Sequence, residues 1–213
     1  MNLRPSEVVT GEVRLSYCSL FTSRAPLSGG DPKFTATLLI PKTDIATMQR
    51  IQSAIEAATV DGVSKKWNGV RPPMIPTPLH DGDGTRPSDG MPYGEECKGH
   101  WVITASANES RPPQVIDAQL NPIINQALIY SGIYASVYLN FFAYNAGGKK
   151  GIGCGLNAVQ KLRDGEPLGG AAKPANEVFT ASADLSQPPV GYTPPSPQIN
   201  PITGQPIVPP LGM

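Results

Sequence analysis

The chain has 213 residues, 39% hydrophobic and 16% charged, with a formal net charge of zero. No apolar run is long enough to span a bilayer, no signal-peptide core follows the N-terminus, and the balanced charge alone favours no nucleic-acid partner. Three widely spaced cysteines predict reduced thiols rather than a disulfide framework, so we expect a cytoplasmic protein without membrane contact.

Two segments near the N-terminus alternate between apolar and polar residues and predict strands. In residues 8–21, one face is formed by Val9, Val13, Leu15, Tyr17 and Phe21. Residues 33–41 repeat the pattern, with Phe34, Ala36, Leu38 and Ile40 facing inward. A period of two is typical of half-buried strands. The two segments therefore predict an antiparallel pair joined by a Gly/Pro turn.

The pattern changes after residue 42. Thr43 can cap a helix, and apolar residues then recur every three or four positions to about Thr59: Ile45, Met48, Ile51 and Ile55. This spacing predicts an amphipathic helix. Residues 60–98 hold six prolines and little periodicity, and they are too many for a simple connection. We interpret them as a long loop excursion.

Further strands are predicted at residues 100–107, 114–118, 130–145 and 152–162. Five or so strands and one helix in about 163 residues suit a closed or nearly closed barrel.

From Asp164 onward, Lys173 is the only basic residue, against four acidic residues, and eleven prolines lie between Pro167 and Pro210. Such a composition does not repay the entropy of ordering. We therefore predict a folded domain at residues 1–164 and a disordered, proline-rich tail at residues 165–213.

The outward face of the 130–145 strand is unusually aromatic. It carries Tyr134, Tyr138, Phe142 and Tyr144 where a solvent-facing strand normally carries charge. Aromatic faces stack on bases of any identity, which predicts a surface for single-stranded nucleic acid. The other predicted contacts are the ring of Trp67 and a path of basic residues, Lys65, Lys66, Arg111, Lys149 and Lys150. Periodicity does not distinguish this from burial of both faces, one inside the barrel and one beneath the long loop.

Signals for catalysis and for metal binding are weak. Asp81 and Asp83 flank a glycine, but the following residues do not continue a calcium loop. Neither histidine lies near a plausible nucleophile in the sequence. We therefore expect no enzyme activity, no metal and no cofactor.

Seven blocks of sequence together resemble a known family. They are RLSYCSLF at 14–21, KFTATLLIPK at 33–42, TPLHDGD at 77–83, YSGIY at 130–134, NFFAY at 140–144, GIGCGLNAVQKL at 151–162 and DGEPLGG at 164–170. In order and in content they are similar to the single-stranded-DNA-binding proteins of phages and prophages, long catalogued as a domain of unknown function.

This resemblance implies an oligonucleotide-binding (OB) fold, here an all-β, five-stranded antiparallel barrel with one helix. It also implies binding of single-stranded DNA without sequence preference, in phage DNA replication, recombination or repair. Relatives of this kind often contact replication proteins through an acidic C-terminal tail, whereas this tail is proline-rich and only slightly acidic. The sequence is also compatible with a homodimer. The alternatives are a phage protein–protein adaptor barrel and a metal-dependent nuclease that uses Asp81 and Asp83.

Overall fold

The strands predicted from alternation form one sheet. In the computed structural model, residues 3–26 and 29–169 are described, and within them eight strands share this sheet with one helix packed against it. The elements are β1 (Glu7–Val9), β2 (Val13–Arg24), β3 (Lys33–Pro41), α1 (Ile45–Lys65), β4 (Leu79–Asp81), β5 (His100–Asn108), β6 (Gln114–Ile116), β7 (Tyr134–Ala146) and β8 (Lys149–Arg163).

Five of the strands close on themselves. The order β7–β2–β3–β5–β8 returns to β7, because β7 pairs with β2 at one end and with β8 along nearly its whole length. The pairings are antiparallel except that of β5 with β8, which is parallel at Ser106 and Gly155. The predicted five-stranded, OB-like barrel is thus confirmed, with one parallel contact as the correction. The short strands β1, β4 and β6 extend its edges.

The interior is formed by the inward residues of the long strands. Along β7 the odd positions from Ala135 to Phe141 are buried, as the alternation predicts, and Val137 and Leu139 have no exposed surface. Ala143, also predicted to face inward, is only half-buried. The predicted inward residues of β3 are likewise buried. All three cysteines are free thiols, as predicted. The opposite face of β7 consequently points away from the barrel.

The first predicted strand is wrong in part, because its alternation is broken twice. The pairing with β7 is interrupted between β1 and β2. Within β2, the register with β3 shifts between Ser16 and Ser19. A bulge adds one residue and so moves the following side chains to the other face. Tyr17, predicted to point inward, is 74% exposed with φ of 47°, and Leu20 is buried instead.

The helix is longer than predicted and begins one residue later. Asp44, not Thr43, caps it by accepting a hydrogen bond from the amide of Thr47 at 3.0 Å. It continues to Lys65, so the first residues assigned to the loop excursion are helical. Ile45 is exposed, against the prediction, because it lies outside the helix face on which Thr47, Ile51 and Ala54 are buried. The buried side of α1 packs against β7 and β1.

The segment after β8 stays attached to the barrel for several residues. Arg14 Nη2 donates to the carbonyl of Glu166 at 2.6 Å, and the amide of Leu168 donates to the carbonyl of Ser131 at 2.7 Å. Residues 165–169, predicted to begin the tail, therefore contact the folded domain. The rest of the predicted tail lies outside the described residues. Within the described part of the chain, no helix is both long and apolar enough to cross a membrane.

Candidate nucleic-acid interface

The outward side of β7 is the surface on which the predicted aromatic residues lie. Phe142 is 47% exposed, and Tyr134, Tyr138 and Tyr144 are half-buried. This side is therefore open in part and is not sealed beneath the long loop. The alternative in which both faces of β7 are buried holds for the inner face only.

The ring of Phe142 lies across a glycine of the neighbouring strand. Phe142 is paired with Gly153 in the antiparallel register of β7 and β8. A Cβ atom on Gly153 would lie 2.6 Å from Cζ of Phe142, closer than such atoms approach. The ring consequently rests on the sheet surface, and its other side is available to a ligand.

A cavity of about 620 Å³ opens on one side of Phe142. Its walls are the N-terminal segment at residues 4–7, the last turns of α1 from Ala57 to Lys65, and β7 with Tyr138 and Phe142. It is a cleft between the helix and the sheet. Its size suits a nucleotide-sized group, since ligand clefts span about 300–1,000 Å³.

A second cavity of about 480 Å³ lies on the other side, between the end of β5 and the middle of β8. Its walls include Lys33, Ser106 and Pro112. The residues that line both cavities are Arg111, Asn140, Phe142 and Asn157. We call the two adjoining cavities the groove; it passes over Phe142 at its middle.

The groove carries more basic than acidic side chains. Its bases are Arg4, Lys33, Lys65 and Arg111, and its acids are Glu7 and Asp61. Asp61 pairs with Lys65 at 2.5 Å and Glu7 pairs with Arg4 at 3.2 Å. Within the described residues, Lys33 and Arg111 form no ion pair. These two basic side chains are therefore available to neutralise phosphates.

Tyr138 lies at the wall of the groove, next to Glu7. Burial, and after it hydrogen bonding to the Glu7 carboxylate, raises the pKa of the Tyr138 phenol. The pKa of Glu7 is lowered, chiefly by the backbone amide of Arg4, which donates to it at 2.9 Å. The Tyr138 hydroxyl thus lies close to the Glu7 carboxylate, and both residues form part of the wall of the groove.

Two predicted stacking residues have other roles. Trp67 is fully buried, and its Nε1 donates to the carbonyl of Tyr144 at 3.0 Å, so the prediction that it stacks on bases is wrong. The guanidinium carbon of Arg163 lies 3.5 Å from the ring centroid of Tyr134, and that of Arg14 lies at 5.8 Å. Arginine therefore covers the Tyr134 ring, which does not share the groove with Phe142.

The remaining predicted residues lie at the β7–β8 hairpin, beyond the groove. The turn is made by Gly147 and Gly148, with φ of 55° and 80°, which suits glycine. Tyr144, Lys149 and Lys150 flank it. Lys66 is joined to the hairpin through its carbonyl, which accepts a hydrogen bond from Asn145 Nδ2 at 3.2 Å. Lys66, Lys149 and Lys150 form no ion pair within the described residues and extend the basic path past the end of the groove.

Sequence reasoning missed Arg4, Lys33 and Asn157 as parts of the groove. Arg4 and Lys33 come from segments far from β7 in the chain, and no local pattern marks them. Asn157 has a detectable signal, because the two-residue turn at 147–148 fixes the register of the hairpin. Counting back from that turn places Asn157 near Tyr138 on the outward side.

Asp81 and Asp83 do not form an open metal site. Both carboxylates accept hydrogen bonds from Nζ of Lys42, at 2.5 and 2.6 Å, so the ammonium group lies where a cation would bind. Asp83 also accepts from the amide of Gly99 at 2.9 Å. Across residues 3–26 and 29–169, no three His, Cys, Asp or Glu side chains cluster in a way that could hold a metal ion.

Solved structures of similar proteins share this fold. The single-stranded-DNA-binding protein of bacteriophage Enc34, solved in complex with ssDNA, is 27% identical, with a TM-score of 0.64 over 77% of this chain and 90% of that chain. Its C-terminal truncation is 28% identical, with a TM-score of 0.61 over 76% and 89%. The single-stranded DNA-binding protein gp2.5 of bacteriophage T7 is 12% identical, with a TM-score of 0.54 over 85% and 98%, which shows likeness of fold alone.

No curated protein matches the chain. A family model does match it, over residues 6–187, and this model describes the ssDNA-binding protein of Enterobacter phage Enc34. The match spans most of the 213 residues and confirms the resemblance to phage single-stranded-DNA-binding proteins. The chain therefore belongs to the family of the Enterobacter phage Enc34 ssDNA-binding protein.

Proposed function

We propose that this protein binds single-stranded DNA without sequence preference and that the groove on the outward side of β7 is the binding surface. The observation that carries the proposal is the half-exposed ring of Phe142. It lies at the middle of a groove lined by basic side chains, two of which form no ion pair with the described residues. Family membership supports it, since the relative named by the family model is an ssDNA-binding protein.

The binding mode combines stacking with charge. One base stacks on the open face of Phe142, and the wall formed by Tyr138 limits where its neighbour can lie. Each stacked base contributes about 1–3 kcal/mol whatever its identity, because every base has a π-face. Arg111 and Lys33 neutralise phosphates on the side of the second cavity, and Lys149 and Lys150 extend this path beyond the groove.

A protein of this kind acts by occupancy and catalyses no reaction. It would coat and protect the single strands that arise when phage DNA is replicated or recombined, in the cytoplasm of the infected cell. The nuclease alternative is disfavoured by Lys42, which occupies the space between Asp81 and Asp83. No observation specifically favours the adaptor alternative.

Fluorescence anisotropy of labelled oligonucleotides tests the proposal. We expect tight binding to oligo-dT of about 30 nucleotides at low salt, since single-strand-binding domains cover several nucleotides each. Duplex DNA of the same length should bind more weakly, because its bases cannot reach Phe142. An RNA oligonucleotide in parallel reports the sugar preference. Absence of oligo-dT binding at low salt, or equal binding of the duplex, would overturn the proposal.

A further inference from the structure

Strand β8 carries glycine at every second position beside the groove: Gly151, Gly153 and Gly155. Glycine weakens a strand because it brings no side chain to pack and loses much conformational freedom on folding. Three such residues in one run therefore reduce the stability of the strand. A benefit elsewhere is needed to account for them.

The three glycines face three side chains of β7. The register pairs Tyr144 with Gly151, Phe142 with Gly153 and Asn140 with Gly155. A Cβ on Gly151 would lie 2.5 Å from the hydroxyl oxygen of Tyr144, and one on Gly155 would overlap Oδ1 of Asn140. Each of the three side chains thus lies over a glycine. We call Gly151, Gly153 and Gly155 the glycine row.

The atoms that surround these glycines distinguish close side-chain packing from close backbone packing. At each of the three positions, the three heavy atoms nearest to an added Cβ all belong to the one side chain across the strand. At Gly82 and Gly132, by contrast, the nearest atoms are backbone atoms. The glycine row therefore makes room for movable side chains, and backbone packing at a barrel corner does not account for it.

We infer that the glycine row is a positioning element for ssDNA binding: it lets the ring of Phe142 lie flat on the sheet, with its free face turned to a base. This rests on the function proposed above. A Cβ at residue 153 would push the ring upward from the sheet and tilt it. The ring would then block the groove it now floors, and its face would no longer lie parallel to an incoming base.

The Gly153→Ala variant tests this inference. Its thermal unfolding midpoint should match or slightly exceed that of the wild type, because alanine lowers the conformational freedom of the unfolded chain and only a movable ring opposes the new methyl group. Its affinity for oligo-dT should fall on the order of 5- to 50-fold, part of the range measured for loss of one base stack. Gly82→Ala is the contrasting variant, because it meets backbone and should destabilise the fold.

A double-mutant cycle separates this inference from the proposed function. In a Phe142→Ala background, Gly153→Ala should cause no further loss of affinity, because no ring is left to displace. If Phe142→Ala alone binds normally, the proposed groove is wrong. If Phe142→Ala binds weakly and Gly153→Ala binds like the wild type, the positioning role is wrong while the groove stands. Failure of Gly153→Ala to fold would also contradict the positioning role, since only a movable ring should oppose the methyl group.

Nuclear magnetic resonance gives a readout that needs no DNA. A ring lying over Gly153 shields its Hα protons, so their signals should lie upfield in the wild type and return to ordinary values in Phe142→Ala. Ordinary Gly153 Hα shifts in the wild type would contradict the flat placement of the ring.

Discussion

The indole Nε1 of Trp67 donates a hydrogen bond to the main-chain carbonyl of Tyr144 at 3.0 Å. This contact joins the segment that follows α1 to the strand whose outer side carries Phe142. It also gives a fully buried donor its partner, which a buried indole needs. Trp67 therefore holds the helix against β7 and fixes one wall of the groove without touching a ligand.

Replacement of Trp67 by phenylalanine should lower stability and leave binding by the folded protein intact. The smaller ring loses the hydrogen bond to the Tyr144 carbonyl and leaves part of the buried indole's space unfilled, at a cost of about 1–3 kcal/mol in the free energy of unfolding. Urea unfolding measures this loss, and anisotropy in the absence of urea measures the affinity. Trp101→Phe is the matched control, because Trp101 is only half-buried. A weaker affinity with unchanged stability would restore the interpretation of Trp67 as a base-stacking residue.

Replacement of Phe142 by alanine should weaken binding of oligo-dT by about 1–3 kcal/mol, roughly 5- to 150-fold in Kd, with little change in the unfolding midpoint because the ring is half-exposed. Anisotropy titrations measure the loss. Tyr17→Ala provides the control, since Tyr17 is an exposed aromatic residue, 74% exposed, that lies outside the groove. Equal losses from the two variants would mean that the groove is not the site.

Neutralisation of Lys33 and Arg111 should reduce the salt dependence of binding. Each phosphate neutralised on single-stranded DNA contributes about 0.7 to the slope of log K against log salt concentration. The double variant Lys33→Gln, Arg111→Gln should therefore lower that slope by roughly 1.4. Lys98 lies outside the groove and forms an ion pair with Glu95, so the Lys98→Gln variant should leave the slope unchanged. An unaltered slope in the double variant would remove both residues from the phosphate path.

Acid should weaken the fold through Asp81 and Asp83. Hydrogen bonding to Lys42 is the largest cause that lowers the pKa of each carboxyl below its ordinary value of 3.8. A carboxyl with a lowered pKa in the folded state contributes stability that is present above 3.8 and is lost as the pH falls through its folded value. The thermal unfolding midpoint should therefore drop as the pH falls below about 3.8.

The matched variant for the acid effect is Lys42→Met. Its unfolding midpoint should be lower than that of the wild type at pH 7, and the difference should shrink as both carboxyls become protonated. A difference between the two proteins that stays constant with pH would show that the Lys42 contacts do not contribute to acid sensitivity.

The sequence predicts the barrel well where strands alternate without interruption. Strand β3 from Phe34 to Leu38 and strand β7 from Tyr134 to Phe142 follow their period-two pattern, and the residues that it selects as inward are buried there. It fails at β2, because the bulge near Tyr17 inserts one residue and reverses the faces that follow. The bulge depends on pairing with β3 and leaves no signal in β2 itself.

The same distinction holds for the candidate site. The outward position of Phe142 follows from alternation, and so does that of Tyr138. The burial of Trp67 does not, because it lies in a stretch without periodicity and is buried by contacts with distant elements. The role of the glycine row in side-chain packing does not follow from alternation either, because it depends on the pairing of β7 with β8.

The groove is tested most directly by titration of isotope-labelled protein with unlabelled oligo-dT, followed through backbone amide chemical shifts. The largest changes should fall on the residues at the middle of the groove, Phe142 and Gly153, and on Lys33 and Arg111 beside it. Amides near Tyr17 and Lys98 should stay unchanged. Saturable binding that moves the signals near Tyr17 and leaves those of Phe142 and Gly153 in place would contradict the central claim.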